Sequence, residues 1–221
     1  MSLIAQLEKK FAAHANTEIA TQQSDYMRGR FSYFGIKAPV RQQLQKPFLT
    51  KDALPPKTEM PGIIKEAWKR PQREFQYFGL EFAIKYVRYY EKKDIALFEY
   101  MIIGKSWWDT VDMIASKVVG GYLKKFPEER TKCIDRWLAS DSLWLRRTAI
   151  LFQLKYKQQT DTQLLAQIIH ANLGSEEFFI NKAIGWALRE YSKTNPQWVL
   201  DFVNKTKLDP LSHSEALKRI T

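Results

Sequence analysis

Helical periodicity is the feature that most constrains the fold of this chain. Apolar residues recur every three or four positions along almost the whole sequence, and alternating runs typical of strands are few. Only 9 glycines occur in 221 residues, and most glycines and prolines fall between helical segments. These breaks divide the chain into about a dozen short helices, so the sequence predicts an all-α protein.

A degenerate repeat runs through these helices. Ala83, Ala115, Ala149 and Ala183 occupy similar places in successive long helices, at spacings of 32, 34 and 34 residues. Each long helix continues to an aromatic residue and follows a shorter helix. Small alanines let neighbouring helices approach closely, so stacked pairs predict an α-solenoid with a concave, basic surface. Chance spacing in an all-helical protein is the alternative. The aromatic residues are Tyr86, Tyr122, Phe152 and Tyr191.

The region before the repeats has a different character. Its first segment reads as an amphipathic helix, and residues 26–36 then interleave aromatic side chains with arginines. Such a stretch suits both capping a solenoid and contacting phosphates and bases. We expect a single domain over residues 1–221, in which residues 1–55 form an N-terminal helical cap and residues 56–221 form the repeats.

The charge balance favours a polyanionic partner. The chain has 35 Lys and Arg against 24 Asp and Glu, a formal net charge of +11 and a pI near 9.6. Nucleic acid is the simplest such partner, and a generically basic soluble protein is the alternative. The basic residues are spread along the chain, which favours a basic face assembled by folding over a disordered basic tail.

Several classes of protein find no support in the sequence. The single cysteine, Cys133, allows no intrachain disulfide, and the three histidines lack metal-ligand spacing, so we expect neither a metal nor a cofactor. Residues 1–15 do not resemble a signal peptide, and no apolar run approaches the roughly 18 residues of a membrane span. We therefore expect a soluble cytoplasmic protein with no membrane partner.

The segment Ser106–Asp112 concentrates tryptophans and carboxylates at the start of a helix. Ser106 as N-cap with Asp109 at the third helical position would form a capping box, which accounts for Asp109. Asp112 lies beyond the capping positions and shares a helix face with Trp108, four residues earlier. An aromatic plate beside a carboxylate suits a cationic group held against nucleic acid. An ordinary surface ion pair of Asp112 is the alternative.

Two further residues fall near the same level if the repeats stack. Counted from the repeat alanine, Asp112 stands at −3, Arg147 at −2 and Trp186 at +3, within about one turn of each other. Arg147 suits a forked phosphate contact, with an ordinary ion pair as the alternative. Trp186 suits a place on the same predicted concave surface, and filling of the core is the alternative. Gly185 beside it indicates the close approach of another backbone.

Four stretches together resemble the AlkD family of alkylpurine DNA glycosylases. They are Ser106–Asp112, Leu143–Ala149, Gly185–Arg189 and residues 26–35, and they match in order along nearly the whole chain. The Trp-Trp-Asp-Thr-Val-Asp string within the first is the most specific of them. The resemblance implies an α-solenoid of HEAT-like helical pairs that cradles duplex DNA.

The resemblance also implies roles for individual residues. Trp108 and Trp186 would be active-site tryptophans, Asp112 the catalytic carboxylate, Arg147 an arginine that contacts the DNA backbone, and Tyr26 a residue near the damaged strand. Further candidates for DNA contacts are Arg28, Arg30, Arg146, Lys182 and Arg189.

These residues suit hydrolysis of the N-glycosidic bond of cationic alkylated purines such as 3-methyladenine and 7-methylguanine. Such a base leaves neutral and needs no acid catalyst, so one carboxylate, Asp112, is sufficient. No lysine stands out as a Schiff-base nucleophile, so we expect a monofunctional enzyme that leaves an abasic site. We expect it to act as a monomer on double-stranded DNA with alkylated bases. The alternative function is a non-catalytic helical-repeat protein that binds DNA or acts as an adaptor.

Overall fold

The computed structural model describes residues 1–220, and within that range the chain is helical without a β-strand. The only extended pairing there is an isolated bridge between Ser32 and Gln72. The predicted all-α class is therefore confirmed. Thr221, the last residue of the predicted domain, lies outside the described residues.

The chain divides into two compact units. The N-terminal unit is Met1–Glu91, and the C-terminal unit begins at Lys92. The helices just after residue 55 thus group with the N-terminal region, because they pack on each other and on the first helix. The division into a cap and repeats at residue 55 remains a prediction.

The N-terminal unit packs its helices around phenylalanines. Phe11 is fully buried and lies 5.7 Å from the Phe75 ring and 6.0 Å from the Phe34 ring, measured between centroids. The helices are α1 (Leu3–Ala12), α2 (Thr17–Tyr26), α3 (Ala38–Gln45), α4 (Met60–Lys69) and α5 (Arg73–Lys85), with 3-10 turns at Lys46–Phe48, Lys51–Ala53, Lys57–Glu59 and Val87–Tyr89.

A buried carboxylate ties the segment after α2 to the start of α5. Glu74 accepts three backbone N–H bonds, of 3.1 to 3.3 Å, from residues 34–36. Burial raises the pKa of Glu74, and these bonds oppose the rise. The guanidinium of Arg73, also buried, lies 3.8 Å above the centre of the Phe31 ring. The mixed aromatic and basic stretch is therefore partly structural.

The C-terminal unit stacks its helices in chain order. The long helix that follows Trp107 packs on α10 (Leu143–Leu151), and α10 packs on α12 (Phe178–Ser192). Helix α12 packs in turn on α13 (Pro196–Lys205) and α14 (Pro210–Leu217), which is consistent with an α-solenoid. The elements are α6 (Ile95–Ile103), α7 (Trp108–Met113), a π-helical segment (Ile114–Val119), α8 (Gly120–Lys125), α9 (Arg130–Leu138), α10 (Leu143–Leu151), α11 (Thr162–His170), α12 (Phe178–Ser192), α13 (Pro196–Lys205) and α14 (Pro210–Leu217), with 3-10 turns at Lys92–Asp94, Pro127–Glu129 and Lys157–Gln159.

The predicted small-residue positions lie inside the helix packing. Ala83, Ala115, Ala149 and Ala183 are all completely buried. Their small side chains allow neighbouring helices to approach closely, as the repeat predicts.

Helices α12 and α14 approach closely at Gly185. A Cβ at this glycine would lie 2.8 Å from the carbonyl oxygen of Ser212 and would overlap the Cβ of Glu215. The predicted close approach of another backbone at Gly185 is therefore confirmed. The contact places α14 directly against the helix that carries Trp186.

Residues 1–220 contain neither a helix that could span a membrane nor a cluster of metal-binding side chains. No helix there combines the length and the apolar character that crossing a membrane requires. No three His, Cys, Asp or Glu side chains in the same range gather into a group that would hold a metal ion.

Candidate active site

The predicted capping box between Ser106 and Asp109 is wrong. Helix α7 begins at Trp108 with Trp107 as its N-cap, so Asp109 stands at its second position, and the N-cap makes no side-chain hydrogen bond. The hydroxyl of Ser106 instead donates to the carbonyl of Ile103, 2.6 Å away, at the end of α6. The backbone of Lys105 takes a left-handed conformation (φ 53°), which turns the chain back toward α6 and delays the helix start.

Helix α7 presents Trp108 and Asp112 on one face. The two side chains are four residues apart, which is about one turn, and both are half-buried. Trp107, immediately before the helix, is buried instead. The helix changes to π geometry directly after Met113, a feature that often accompanies functional sites.

Asp112 and Arg147 form a forked ion pair between α7 and α10. Arg147 Nε donates to Oδ1 at 2.7 Å and Nη2 donates to Oδ2 at 2.9 Å, while Nη1 donates to the carbonyl of Phe179 on α12. The Arg147 side chain is 4% exposed and that of Asp112 is 13% exposed. The arginine is thus the more deeply buried partner, and the Asp112 side chain keeps a small exposed fraction.

Opposing influences act on the pKa of the Asp112 carboxylate. Burial raises its pKa, the bonds and charge of Arg147 lower it, and the nearby carboxylate of Asp109 raises it further, so the net direction is upward. Arg147 nevertheless holds both oxygens in a fixed plane. The group is therefore an oriented, poorly solvated carboxylate with a single cationic partner.

Three aromatic rings that were not among the predicted site residues form a cluster beside this ion pair. The rings of Trp107, Trp144 and Phe179 lie between 5.1 and 5.6 Å apart, and the Phe179 ring lies 5.8 Å from Cζ of Arg147. Trp144 precedes Arg147 by three residues on α10, which is a local signal in the sequence. Phe179 carries no such signal, because its carbonyl meets Arg147 only through the packing of α12 on α10.

Trp186 is placed on α12 but does not take part in the ion pair. It lies seven residues after Phe179, a rise of about 10 Å along the helix, and its side chain is half-buried. The structure thus brings Asp112 and Arg147 into direct contact and places Trp186 two turns from the carbonyl that Arg147 contacts.

A second carboxylate engages two of the predicted DNA-contacting cations. Glu215 of α14 accepts from Lys182 at 2.6 Å and from Arg189 at 2.9 Å, and it also pairs with Lys218. The cluster retains a net positive charge because three cations surround one carboxylate. A phosphate contact by Lys182 or Arg189 remains a prediction.

The remaining predicted DNA-contacting residues occupy varied positions. Arg146 on α10 is half-buried, and its Nε has no hydrogen-bond partner within residues 1–220. Tyr26 is exposed at the end of α2 in the N-terminal unit. Arg28, which has a left-handed backbone (φ 58°), and Arg30 are exposed in the turn that follows.

The chain belongs to the DNA alkylation repair enzyme family, whose family model matches residues 7–220. A solved structure described as a predicted DNA alkylation repair enzyme from Enterococcus faecalis is similar to it, with a TM-score of 0.87 and 35% sequence identity over 94% of this chain and 97% of that one. No curated protein matches the chain in sequence. The predicted family membership is confirmed.

Proposed function

We propose that this protein is a DNA glycosylase that hydrolyses the N-glycosidic bond of cationic alkylated purines in duplex DNA and leaves an abasic site. One observation carries the proposal. The half-buried Asp112 carboxylate accepts hydrogen bonds from Nε and Nη2 of Arg147, and Asp112 lies one helical turn from Trp108. It is an oriented anion beside an aromatic face, in an enzyme family that repairs alkylated DNA.

A single carboxylate suits this substrate class. Cleavage of the bond passes through a sugar with oxocarbenium character, and ordinary glycosidases add a second carboxyl group to protonate the leaving group. A purine alkylated at N3 or N7 carries a positive charge and leaves as a neutral base. Asp112 therefore needs only to stabilise the sugar cation and to orient the attacking water.

Arg147 acts on this carboxylate by position and charge. Its forked contact fixes the plane of the carboxylate and favours the ionised form against the effect of burial. Each carboxylate oxygen keeps further lone-pair capacity beyond the one bond from Arg147. Asp112 thus remains able to accept a hydrogen bond from water while Arg147 holds it.

Two tryptophans supply the aromatic faces. Trp108 shares the face of Asp112 on α7, and Trp186 lies on α12. The face of a tryptophan attracts a cation by about 0.5–2 kcal/mol. A cationic base or sugar gains this attraction, whereas a neutral, undamaged nucleotide does not. Lesion charge then contributes to selectivity without hydrogen-bond readout of the base.

The deciding experiment is release of 7-methylguanine and 3-methyladenine from methylated duplex DNA. We expect release by the wild type and a loss of about 10²- to 10³-fold in Asp112→Asn, a range typical for removing one electrostatic stabiliser of a transition state. DNA binding should be retained. The matched control is Asp109→Asn, on the same helix but without the bond to Arg147, which should stay near wild type.

The competing function is a helical-repeat protein that binds DNA or acts as an adaptor without cutting the glycosidic bond. Salt-sensitive DNA binding by the wild type with no base release would favour that function and remove the catalytic role of Asp112. Trapping with borohydride separates a third possibility. A covalent protein–DNA adduct would indicate a lysine nucleophile and contradict the monofunctional mechanism.

A further inference from the structure

A basic pocket lies within the N-terminal unit. Its volume is about 490 Å³, and its walls come from the loop at residues 49–57, the end of α5 and the 3-10 turn Val87–Tyr89. We call it the Tyr89 pocket. None of the residues proposed for catalysis lines it.

The charge of the Tyr89 pocket is strongly positive. Lys51, Lys57, Lys85 and Arg88 line it, and no carboxylate does. Two acidic residues lie near it: Glu91 is 3.7 Å from Nζ of Lys57, and Glu59 is close enough to influence the pKa of Tyr86. Lys51 and Lys85 have no carboxylate within ion-pair distance in residues 1–220. The four cations come from two stretches of the chain, residues 51–57 and residues 85–88, so they do not form a row on one helix.

The pocket also combines a firm wall with an exposed ring. The hydroxyl of Tyr86 donates to the carbonyl of Pro55 at 2.7 Å, which ties the loop to the end of α5. Burial, with a smaller effect from Glu59, raises the pKa of Tyr86 to about 12, so this phenol stays a neutral donor at physiological pH. Tyr89 is 62% exposed at the rim, so the face of its ring is accessible to a partner.

We propose that the Tyr89 pocket binds one nucleotide of a DNA strand, with its phosphates against the lysines and Arg88 and its base or sugar on the ring of Tyr89. A cationic groove with an exposed aromatic ring is the usual design for holding unpaired nucleic acid. The volume lies in the range of small-ligand sites, about 300–1,000 Å³. The proposal rests on DNA as the substrate of this family, not on glycosylase chemistry.

The test is fluorescence anisotropy with a labelled, undamaged single-stranded oligonucleotide and the full chain. The variant is the double substitution Lys51→Ala/Lys85→Ala. The control of equal charge is Lys9→Ala/Lys10→Ala, two exposed lysines on α1. We expect affinity to fall about tenfold in the pocket variant and to fall less in the control. The dependence of log affinity on log salt should flatten by roughly 1.4, since each phosphate contact on a single strand accounts for about 0.7.

A second pair of variants tests the ring. Tyr89→Ala should weaken binding about tenfold, as expected for loss of one stacked base, whereas Tyr89→Phe should bind like the wild type. Equal binding by the pocket and control double variants would overturn the proposal. It would also be overturned if inorganic phosphate displaced the oligonucleotide at matched phosphate concentration, because the pocket would then be a site for small anions.

Base release measured on the same variants separates this proposal from the glycosylase proposal. Lys51→Ala/Lys85→Ala should raise the concentration of methylated DNA needed for half-maximal base release, since the pocket contributes to affinity. Asp112→Asn should show the reverse, with binding kept and release lost. Absence of release in the wild type, with the pocket effects intact, would contradict the glycosylase proposal alone.

Discussion

Two carboxylates of the C-terminal unit, those of Asp112 and Glu215, differ in exposure and in the number of their cationic partners. Asp112 has one cationic partner, Arg147, and its side chain is 13% exposed. Glu215 has three, Lys182, Arg189 and Lys218, and its side chain is 2% exposed. Asp112 thus keeps a small exposed fraction and pairs with one cation, whereas Glu215 is almost fully enclosed and pairs with three.

The pKa values of these groups move in opposite directions for that reason. For both, burial is the largest single influence and raises the pKa. At Asp112 the single arginine does not overcome it, and the pKa is raised. At Glu215 the three cations do overcome it, and the pKa is lowered. The number of cationic partners therefore accounts for the opposite directions of the two pKa shifts.

The largest expected difference between the two is in catalysis. Asp112→Asn should reduce base release by about 10²- to 10³-fold, because the sugar cation loses its anion. Glu215→Gln should leave the rate per folded molecule within about threefold of wild type, because packing alone changes. Single-turnover rates at saturating methylated DNA, at a temperature where both variants are folded, measure this. A large rate loss in Glu215→Gln would end the division into catalytic and structural carboxylates.

The next effect is on stability. Glu215→Gln should lower the free energy of unfolding by about 2–3 kcal/mol at pH 7, somewhat less than for a fully buried pair because the cations stay partly hydrated. Urea unfolding measures it. Glu190→Gln, which breaks surface pairs with Lys155 and Lys193, is the control and should cost at most about 1 kcal/mol.

This stability difference has a defined pH dependence. The pKa of Glu215 is lowered in the folded protein, so its contribution is present above the ordinary glutamate pKa of about 4.3 and disappears as the pH falls through the folded value. Wild type and Glu215→Gln should therefore converge in stability at strongly acidic pH. A difference that persisted undiminished there would show that the carboxylate charge is not its source.

The contact that places Glu215 should be sensitive to one methyl group. Gly185→Ala should destabilise the protein by about 1–2 kcal/mol, because the new Cβ meets the Ser212 carbonyl and Glu215. Gly62→Ala is the matched control, since that helical glycine has open space around it and alanine favours helix. Thermal unfolding of both measures the effect. Equal stability of the two variants would show that α14 shifts freely on α12.

The smallest expected effect is a shift in the pH profile of Asp112. Because its pKa is raised, base release should fall on the acid side at a higher pH than an ordinary aspartate would give. Arg147→Lys loses the fork and should move this fall to still higher pH, with the plateau rate reduced less than in Asp112→Asn. Rates between pH 4 and about 8 measure both. If Arg147→Lys did not move the pH at which base release falls, the fall would be caused by a group other than Asp112.

Much of the fold could be predicted because it depends on local patterns. Helical periodicity and the alanine repeat indicated which residues enter the packing, and Gly185 indicated where a second backbone approaches. The capping box failed because the competing bond, from Ser106 to Ile103, depends on the left-handed turn at Lys105. A polar pattern shared by a cap and a turn is not resolved by spacing alone.

The sequence by itself determined the helices, the buried alanines and the placement of Trp108 and Asp112 on one helix face, because each follows from the 3.6-residue period. Only the tertiary structure decided the partners of the charges. Arg147 meets Asp112 across 35 residues, and Glu215 takes Lys182 across 33. Ion pairs between helices depend on how those helices pack, and the periodicity of a single helix does not contain that information.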